Sequence, residues 1–524
     1  MPRHSAIRFR PGALALALAL TGCNAGPDYR APEVDAPADF SAAHGGAPEL
    51  AALQQPQSAP EAADQWRVFS DPVLDELQRR ALLSSPDLQS AALRLAQSRA
   101  QRAIAGSQRG PQLDFNAGVS RQNQSETGAG NRVINAIAPP GAERDALIKT
   151  VSQPFDLYQV GFDASWELDL WGRIRRTLEA GDANVAGARA LLDDTRLSLS
   201  CELARAYFEL RGTQQQQRLT RADIEAAGDS LDLIAARARA GLIDDLDLAR
   251  QRAQLENLRA LLPQLGAQEA ATINRITLLV GARPGELNAL LAAVDTAGNT
   301  PRWPDFSIGL PADIARRRPD IRAAEADLHA ATANIGIASA DLYPRVVLGA
   351  SFGFESIDSG DLGDWRSRQW SIGPSLNLPL FDRGRRRATV TLRELEQQQA
   401  AVHFQQTVLK AWHEVDDALS AYNAGRLRYQ HLLQQRDSSE LAYTLAKARY
   451  EGGLTDFIVE LDAFRGLLQA RRDLAQSDSQ LRMLMVALFK AVGGAVPLAP
   501  QQPVASAATG HSVEGGAGQE RASQ

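Results

Sequence analysis

Four short stretches of the chain alternate strictly between apolar and polar positions. In 112–120 the residues Leu113, Phe115, Ala117 and Val119 alternate with Asp114, Asn116, Gly118 and Ser120. The same alternation runs from Tyr158 to Leu170, from Val346 to Phe354 and from Trp370 to Leu380. A period of two sets one row of side chains on each face of a strand, so the pattern predicts strands at about 112–124, 156–171, 345–356 and 368–381. One row carries aromatic and aliphatic side chains, the other Gly, Ser and acidic ones, which suits a wall between lipid and water. A soluble sandwich would alternate equally well. Against it, there are only four such strands, and each pair interrupts long helical stretches. Four strands cannot enclose water, because even eight leave room only for side chains. Three chains contributing twelve strands could.

The remaining pattern is helical. From Gly172 to Ala240 there is no proline, and Ala, Leu, Arg, Gln and Glu dominate. At 1.5 Å per residue this helix is about 100 Å long. A turn at Gly241-Leu242 reverses it, and 243–281 runs back. Residues 384–451, a turn at Gly452-Gly453-Leu454 and 455–492 repeat the arrangement. Leu395, Val402 and Leu409 form one heptad stripe, and Val408, Val415, Tyr422 and Tyr429 another; two stripes predict neighbours on both sides, as in a closed ring of helices. Shorter helices at 85–109 and 319–342 run back to the strands and join onto the two returns. Residues 66–84 and 282–318 read as short connecting pieces of a belt.

These elements form two copies of one unit. Pro86-Asp87-Leu88 matches Pro319-Asp320-Ile321, and Pro111 matches Pro344 at the same spacing. Further on, Gly161 matches Gly373, Gly241-Leu242 matches Gly453-Leu454, and Val280-Gly281 matches Val492-Gly493, each pair 212 residues apart. The spacing changes because 121–157 is a longer insertion than 355–368. The organisation is therefore a segment 1–22, a tether 23–65, a first repeat 66–281, a connector 282–318, a second repeat 319–494 and a tail 495–524. The tether and tail are rich in Pro, Ala, Gly and Ser and predict little structure of their own.

No internal run reaches the eighteen or so apolar residues of a transmembrane helix. The only strongly apolar run is Ala13–Leu20, behind Arg3, Arg8 and Arg10, the layout of a secretory signal. It ends Leu20-Thr21-Gly22-Cys23, which resembles a bacterial lipobox and predicts a diacylglyceryl, palmitate-bearing Cys23; the alternative is an ordinary signal with a chance cysteine. Asn24 rather than Asp follows, favouring the outer membrane. Cys201, the second of two cysteines, sits among leucines and reads as a buried apolar residue. The seven histidines show no metal-ligand spacing, and a net charge of −6 argues against nucleic acid. The sequence holds no H-E-x-x-H or C-x-x-C. No enzyme activity and no cofactor beyond the lipid on Cys23 are expected.

The run Cys23-Asn24-Ala25-Gly26-Pro27-Asp28-Tyr29-Arg30-Ala31-Pro32 resembles the mature start of lipoprotein outer-membrane factors of tripartite efflux systems, the TolC/OprM type, in their NodT branch. Trp166-Glu167-Leu168-Asp169-Leu170-Trp171-Gly172, Pro319–Glu325, Leu342-Tyr343-Pro344 and Leu380-Phe381-Asp382-Arg383-Gly384 look like signatures of the same family. The resemblance implies a mixed α+β membrane protein. Its homotrimer would build a twelve-stranded β-barrel continuous with a twelve-helix periplasmic α-barrel. It would be a passive duct, joined by a periplasmic adaptor protein to an inner-membrane transporter of the resistance-nodulation-division type and surrounded by outer-membrane lipid. A duct for type I protein secretion and a non-conducting coiled-coil tether are the alternatives; a tether would not need amphipathic strands. With Met1, Met483 and Met485 the only methionines, organic cargo is favoured over copper or silver.

Two sets of residues follow from the same resemblance. Glycine at each helical reversal is explained by the turn itself, but the leucine after it is not. In the family similar turns meet the adaptor, which assigns Gly241, Leu242, Gly453 and Leu454 to docking. Ile458 and Asp462 lie four apart and share a helix face; by resemblance that face is the periplasmic constriction. Tyr450 matches a tyrosine that latches the inner helix, while Thr455 stands where an arginine is expected. Apolar packing at Ile458 and hydrogen bonds to Tyr450 are expected to hold the gate shut, with Asp462 forming a cation-selective ring. The alternative is that Asp462 is merely a solvated helix residue.

Overall fold

The structure is a computed structural model that describes residues 24–33, 35–37, 66, 69–241, 243–292 and 311–494. Cys23, Leu242, the signal segment and the tail lie outside the described residues. Four strands form one antiparallel meander: β1 (Gln112–Gln122), β2 (Phe155–Leu168), β3 (Arg345–Ser356) and β4 (Arg368–Asn377), in that spatial order. β2 and β4 end two and three residues before the alternation does, because Leu170 and Leu380 already belong to the turns that lead into the long helices.

The register explains the two rows. Phe115, Phe162, Phe352 and Trp370 are aligned directly across all four strands, with the Phe115 and Phe162 rings 5.2 Å apart. On the other face, Asn116 Nδ2 donates to Asp163 Oδ2 at 2.6 Å, Gln159 Nε2 to Glu355 Oε2 at 2.6 Å, and the Ser351 and Ser371 hydroxyls lie 2.8 Å apart. One face is a polar ladder satisfied from strand to strand. The other leaves Phe115, Phe352, Trp370 and Ile372 exposed, an apolar patch that a water-facing sheet would have to cover.

The helices are α1 (Pro72–Ser84), α2 (Pro86–Ser107), α3 (Arg132–Ile137), α4 (Ala142–Val151), α5 (Arg173–Arg239), α6 (Asp245–Val280), α7 (Asn288–Leu291), α8 (Pro311–Arg317), α9 (Pro319–Ala340), α10 (Arg385–Glu451) and α11 (Phe457–Ala491). α5 and α10 are each 67 residues long. No described helix is long and apolar enough to cross a membrane. α3 and α4 lie in the β1–β2 connection, which the sequence pattern left as an insertion without elements.

The short helices butt end to end against the returns. Where α6 stops, Ser84 Oγ donates to the Val280 carbonyl at 2.7 Å beside the start of α2. Where α11 stops, Arg318 Nη1 donates to the Ala491 carbonyl at 2.8 Å beside the start of α9. In both joints a helix C-terminus, with its unpaired carbonyls, meets the N-terminus of the next helix. The main core lies at the belt, where Trp66, Leu74, Leu77, Leu203, Tyr207, Ile276 and Val280 pack together; each such leucine contributes about 1.5–3 kcal/mol by burial. Tyr207 donates to Asp71 Oδ2 at 2.6 Å, and Oδ1 of the same carboxylate caps α1 through the Val73 and Leu74 amides.

One expectation needs sharpening. Residues 24–33, read as part of a tether with little structure of its own, hold no helix or strand but are docked on α5 and α9. The buried Arg176 guanidinium bonds the Ala25 carbonyl at 3.3 Å, Asp28 Oδ1 at 2.7 Å and Glu179 Oε2 at 2.7 Å, which compensates a charge removed from water. Tyr29 stacks on His329 at 4.0 Å. A Cβ on Gly26 would lie 2.5 Å from Gly336 Cα, so the strap fits only because both residues lack one. The two stripes of α10 differ in what covers them: Val408, Val415 and Tyr422 are buried within the chain, whereas Leu395, Val402 and Leu409 face outward, uncovered by any described residue of the same chain.

Candidate tunnel gate and docking tips

Both helical hairpins reverse through a glycine with positive φ, Gly241 at +73° and Gly453 at +68°. A Cβ on either would meet nothing within 4 Å; the backbone dihedral, not space, demands glycine there. At the second tip the Leu454 amide donates to the Arg449 carbonyl at 2.8 Å and the Gly453 amide to Tyr450 at 3.0 Å, the paired closure that commonly ends a helix. At the first tip, Asp244 caps α6 through the Leu246 amide at 3.2 Å. Leu454 is 76% exposed, a large apolar side chain held in water at the very end of the molecule. Leu242, its counterpart, lies outside the described residues.

Directly beyond the second tip, α11 begins with Phe457 buried against Ile234 of α5 and Leu461 one turn on. The adjoining side of this turn carries the constriction candidates. Ile458 is half-buried, while Asp462, one turn later, is exposed and makes no ion pair with another described residue. The structure thus brings Ile458, Asp462 and Tyr450 to one end of the molecule, beside the docking tips.

Tyr450 holds its place differently from the expectation. Its hydroxyl is buried and has no hydrogen-bond partner among the described residues. Its ring packs against Phe457, with centroids 5.5 Å apart, and its face lies 5.0 Å from the Arg237 guanidinium of α5. Hydrogen bonds to Tyr450 are therefore replaced by ring-face contacts. Nearby, burial raises the Glu460 carboxyl above its ordinary pKa, reinforced by Glu451 and opposed by Lys447 and Arg237. Sequence reasoning missed Arg237 and Ile234. An arginine in the last turn of a helix satisfies the helix dipole by itself, so nothing in the local pattern points across to α10.

A sheet with one bare apolar face, two helices of 67 residues leaving its base, and paired turns at their far ends define a channel subunit of an outer membrane. The sequence model of the outer membrane efflux protein family matches residues 77–282 and 310–494, and the chain belongs to that family. It is 32% identical to outer membrane protein OprJ of Pseudomonas aeruginosa over 490 residues, 93% of this chain and 96% of that one. With the pyoverdine export outer membrane protein OpmQ of Pseudomonas putida it shares 32% identity over 429 residues, 82% of this chain and 87% of the relative. Among solved structures it resembles the outer-membrane channel OprN, with a TM-score of 0.79, 35% identity and coverage of 90% of this chain and 99% of that one. The fold is that of the trimeric efflux channels, each chain supplying four strands of the barrel, and the protein is an outer-membrane channel component of an efflux pump.

Proposed function

We propose that the trimer is a passive duct closed at its periplasmic end by rings of Ile458 and Asp462, and that it docks an adaptor protein through Gly241, Leu242, Gly453 and Leu454. The observation that carries this reading is the exposed Asp462 carboxylate, without an ion pair among the described residues, one turn beyond Ile458 at the end of the molecule where the tips also lie. Three carboxylates around a threefold axis repel one another. They favour a cation between them and cannot close the gate alone, so apolar contact at Ile458 does that. The chain carries no energy source of its own in this reading; an inner-membrane transporter of the resistance-nodulation-division type supplies it through the adaptor. Export of organic small molecules is favoured by the pyoverdine that the relative OpmQ is named for.

The same reading holds the protein to the outer membrane by lipid on Cys23. Support comes from the residue that follows next but one: the Ala25 amide donates to the Trp171 carbonyl at 3.0 Å, so the chain emerges at the base of the sheet, where an acyl group would meet the bilayer. Two or more acyl chains attach stably where one binds marginally. Mass spectrometry of the mature protein tests this, and an unmodified N-terminus elsewhere would refute it. For the gate, Ile458→Ala with Asp462→Ala is expected to raise planar-bilayer conductance and admit vancomycin at unchanged trimer level. Wild-type conductance and leakage in that variant would locate the constriction elsewhere.

A further inference from the structure

We infer that Arg237 is the positioning residue that latches the gate, holding α10 and α11 to the end of α5 through the face of the Tyr450 ring. The inference rests on the gate reading above and adds to it the group that keeps Ile458 and Asp462 in place.

Tyr450 sits at the last turn of α10, where the chain turns toward the constriction. Its hydroxyl is buried and has no hydrogen-bond partner among the described residues. What remains is the ring. One contact is apolar, to Phe457 at the start of α11. The other is the Arg237 guanidinium 5.0 Å from the ring centroid, within the range where a cation is drawn to the π-face. Arg237 follows the buried Ile234 by three residues, so both project from one face of α5. Ile234 packs against Phe457 and Leu461 of α11. The guanidinium therefore engages α10 through the Tyr450 ring, while Ile234 on the same face of α5 holds α11. The second tip provides no substitute, since Gly452-Gly453-Leu454-Thr455-Asp456 contains no cation.

The attraction is electrostatic, directed and reversible. It is weak enough to be broken when an adaptor grips the tips, which a deeply packed apolar contact would resist. A purely local role for Arg237, pairing with the α5 dipole, would be served equally by lysine and would not depend on residue 450.

The test is planar-bilayer conductance of purified full-length trimers, compared at equal trimer amounts. Tyr450→Phe keeps the ring and is expected to conduct like wild type. Tyr450→Leu and Arg237→Gln are each expected to raise the open fraction by about three- to tenfold, the scale of a partly desolvated cation–π contact. The double variant Arg237→Gln with Tyr450→Leu should open no further than the stronger single one. Arg237→Lys should fall between wild type and Arg237→Gln. Opening of Tyr450→Phe to the level of Tyr450→Leu would transfer the latch to the hydroxyl and overturn the inference. So would multiplicative effects in the double variant. If Arg237→Gln stays closed while Ile458→Ala with Asp462→Ala opens, the gate stands and the latch falls; if neither opens, the gate reading falls and takes the latch with it.

Discussion

α5 and α10 have the same length and derive from the same half-unit, yet their surroundings differ throughout. α5 packs within its own chain against α2, α6, α9 and α11, whereas α10 packs against α9 and α11 and, at the belt, against Ile314 and Ala315 of α8. Buried residues run along α5 from Ile174 to Ile234; in α10 they are confined to Phe404–Tyr422 and Ala446. The spacing of 212 residues makes the comparison direct. Leu395, Val402 and Leu409, all exposed, match Ala183, Ala190 and Leu197, all buried. Inside the chain, the side of α5 that carries these positions is covered, with Ala326 of α9 lying beside Gly187. In the other copy the matching partner of α10 would be α2, but α2 of the same chain is already spent on α5. Its outer surface, with Leu93 and Ile104 exposed, is what a neighbouring copy offers. The duplication therefore writes one contact twice, once within a subunit and once between subunits, and the second is complete only in the trimer.

The sharpest way to break this comparison is to charge matched positions. Ala190 is 1% exposed and Val402 62% exposed. Ala190→Asp would bury an uncompensated carboxylate at a cost of several kcal/mol, and it is expected to prevent the protomer from folding, with loss of helical circular dichroism. Val402→Asp is expected to leave a helical protomer that no longer trimerises, seen by light scattering. Equal behaviour of the two variants would erase the distinction between closed and open flanks.

A smaller effect is expected at the tips, where both copies are open. Leu242→Asp with Leu454→Asp should lower drug resistance while trimer yield stays normal; unchanged efflux would count against docking there. The smallest effect concerns Asp223, buried in α5 with Oδ2 unbonded among the described residues, whose counterpart Gln435 is exposed and neutral. Burial raises the Asp223 carboxyl above the usual range, against the pull of Arg472 and Arg471. The folded state then binds its proton more tightly than the unfolded chain. The penalty is full above the folded-state pKa and fades as pH falls through it toward the ordinary carboxylate value. Asp223→Asn should therefore raise the melting temperature at pH 7 by a few degrees, with the gain shrinking on acidification, as thermal scans at pH 7 and pH 4 would show.

The periodic part of the molecule was legible in the sequence because its causes are local. Alternation from Tyr158 to Leu168 and the proline-free run after Gly172 follow directly from which atoms face water. The strap was not, because Gly26 and Pro27 carry no period, and their docking depends on Arg176 and Gly336, distant in sequence. The same holds at the gate. Ile458 and Asp462 could be found from their four-residue spacing, but the partner of Tyr450 could not, since Arg237 lies more than two hundred residues away and already fits its own helix end. α3 and α4 are too short for a periodic signal to separate them from turns.

The butted joints at Ser84–Val280 and Arg318–Ala491 bear on how such a wall can change over time. At each joint the barrel wall is continuous in space while the peptide is interrupted, so a segment can leave and return there without cutting a helix. The stretch after Gly281 does this, passing through α7 and α8 before α9 resumes the wall. Insertions at these seams lengthen the belt at the cost of loop closure alone, which grows only slowly with length. The same insertion inside α5 would shift every residue beyond it around the helix and misalign the whole face. Variation in girth and decoration is thereby channelled to one latitude of the tube, leaving its bore and its reach to be inherited unchanged.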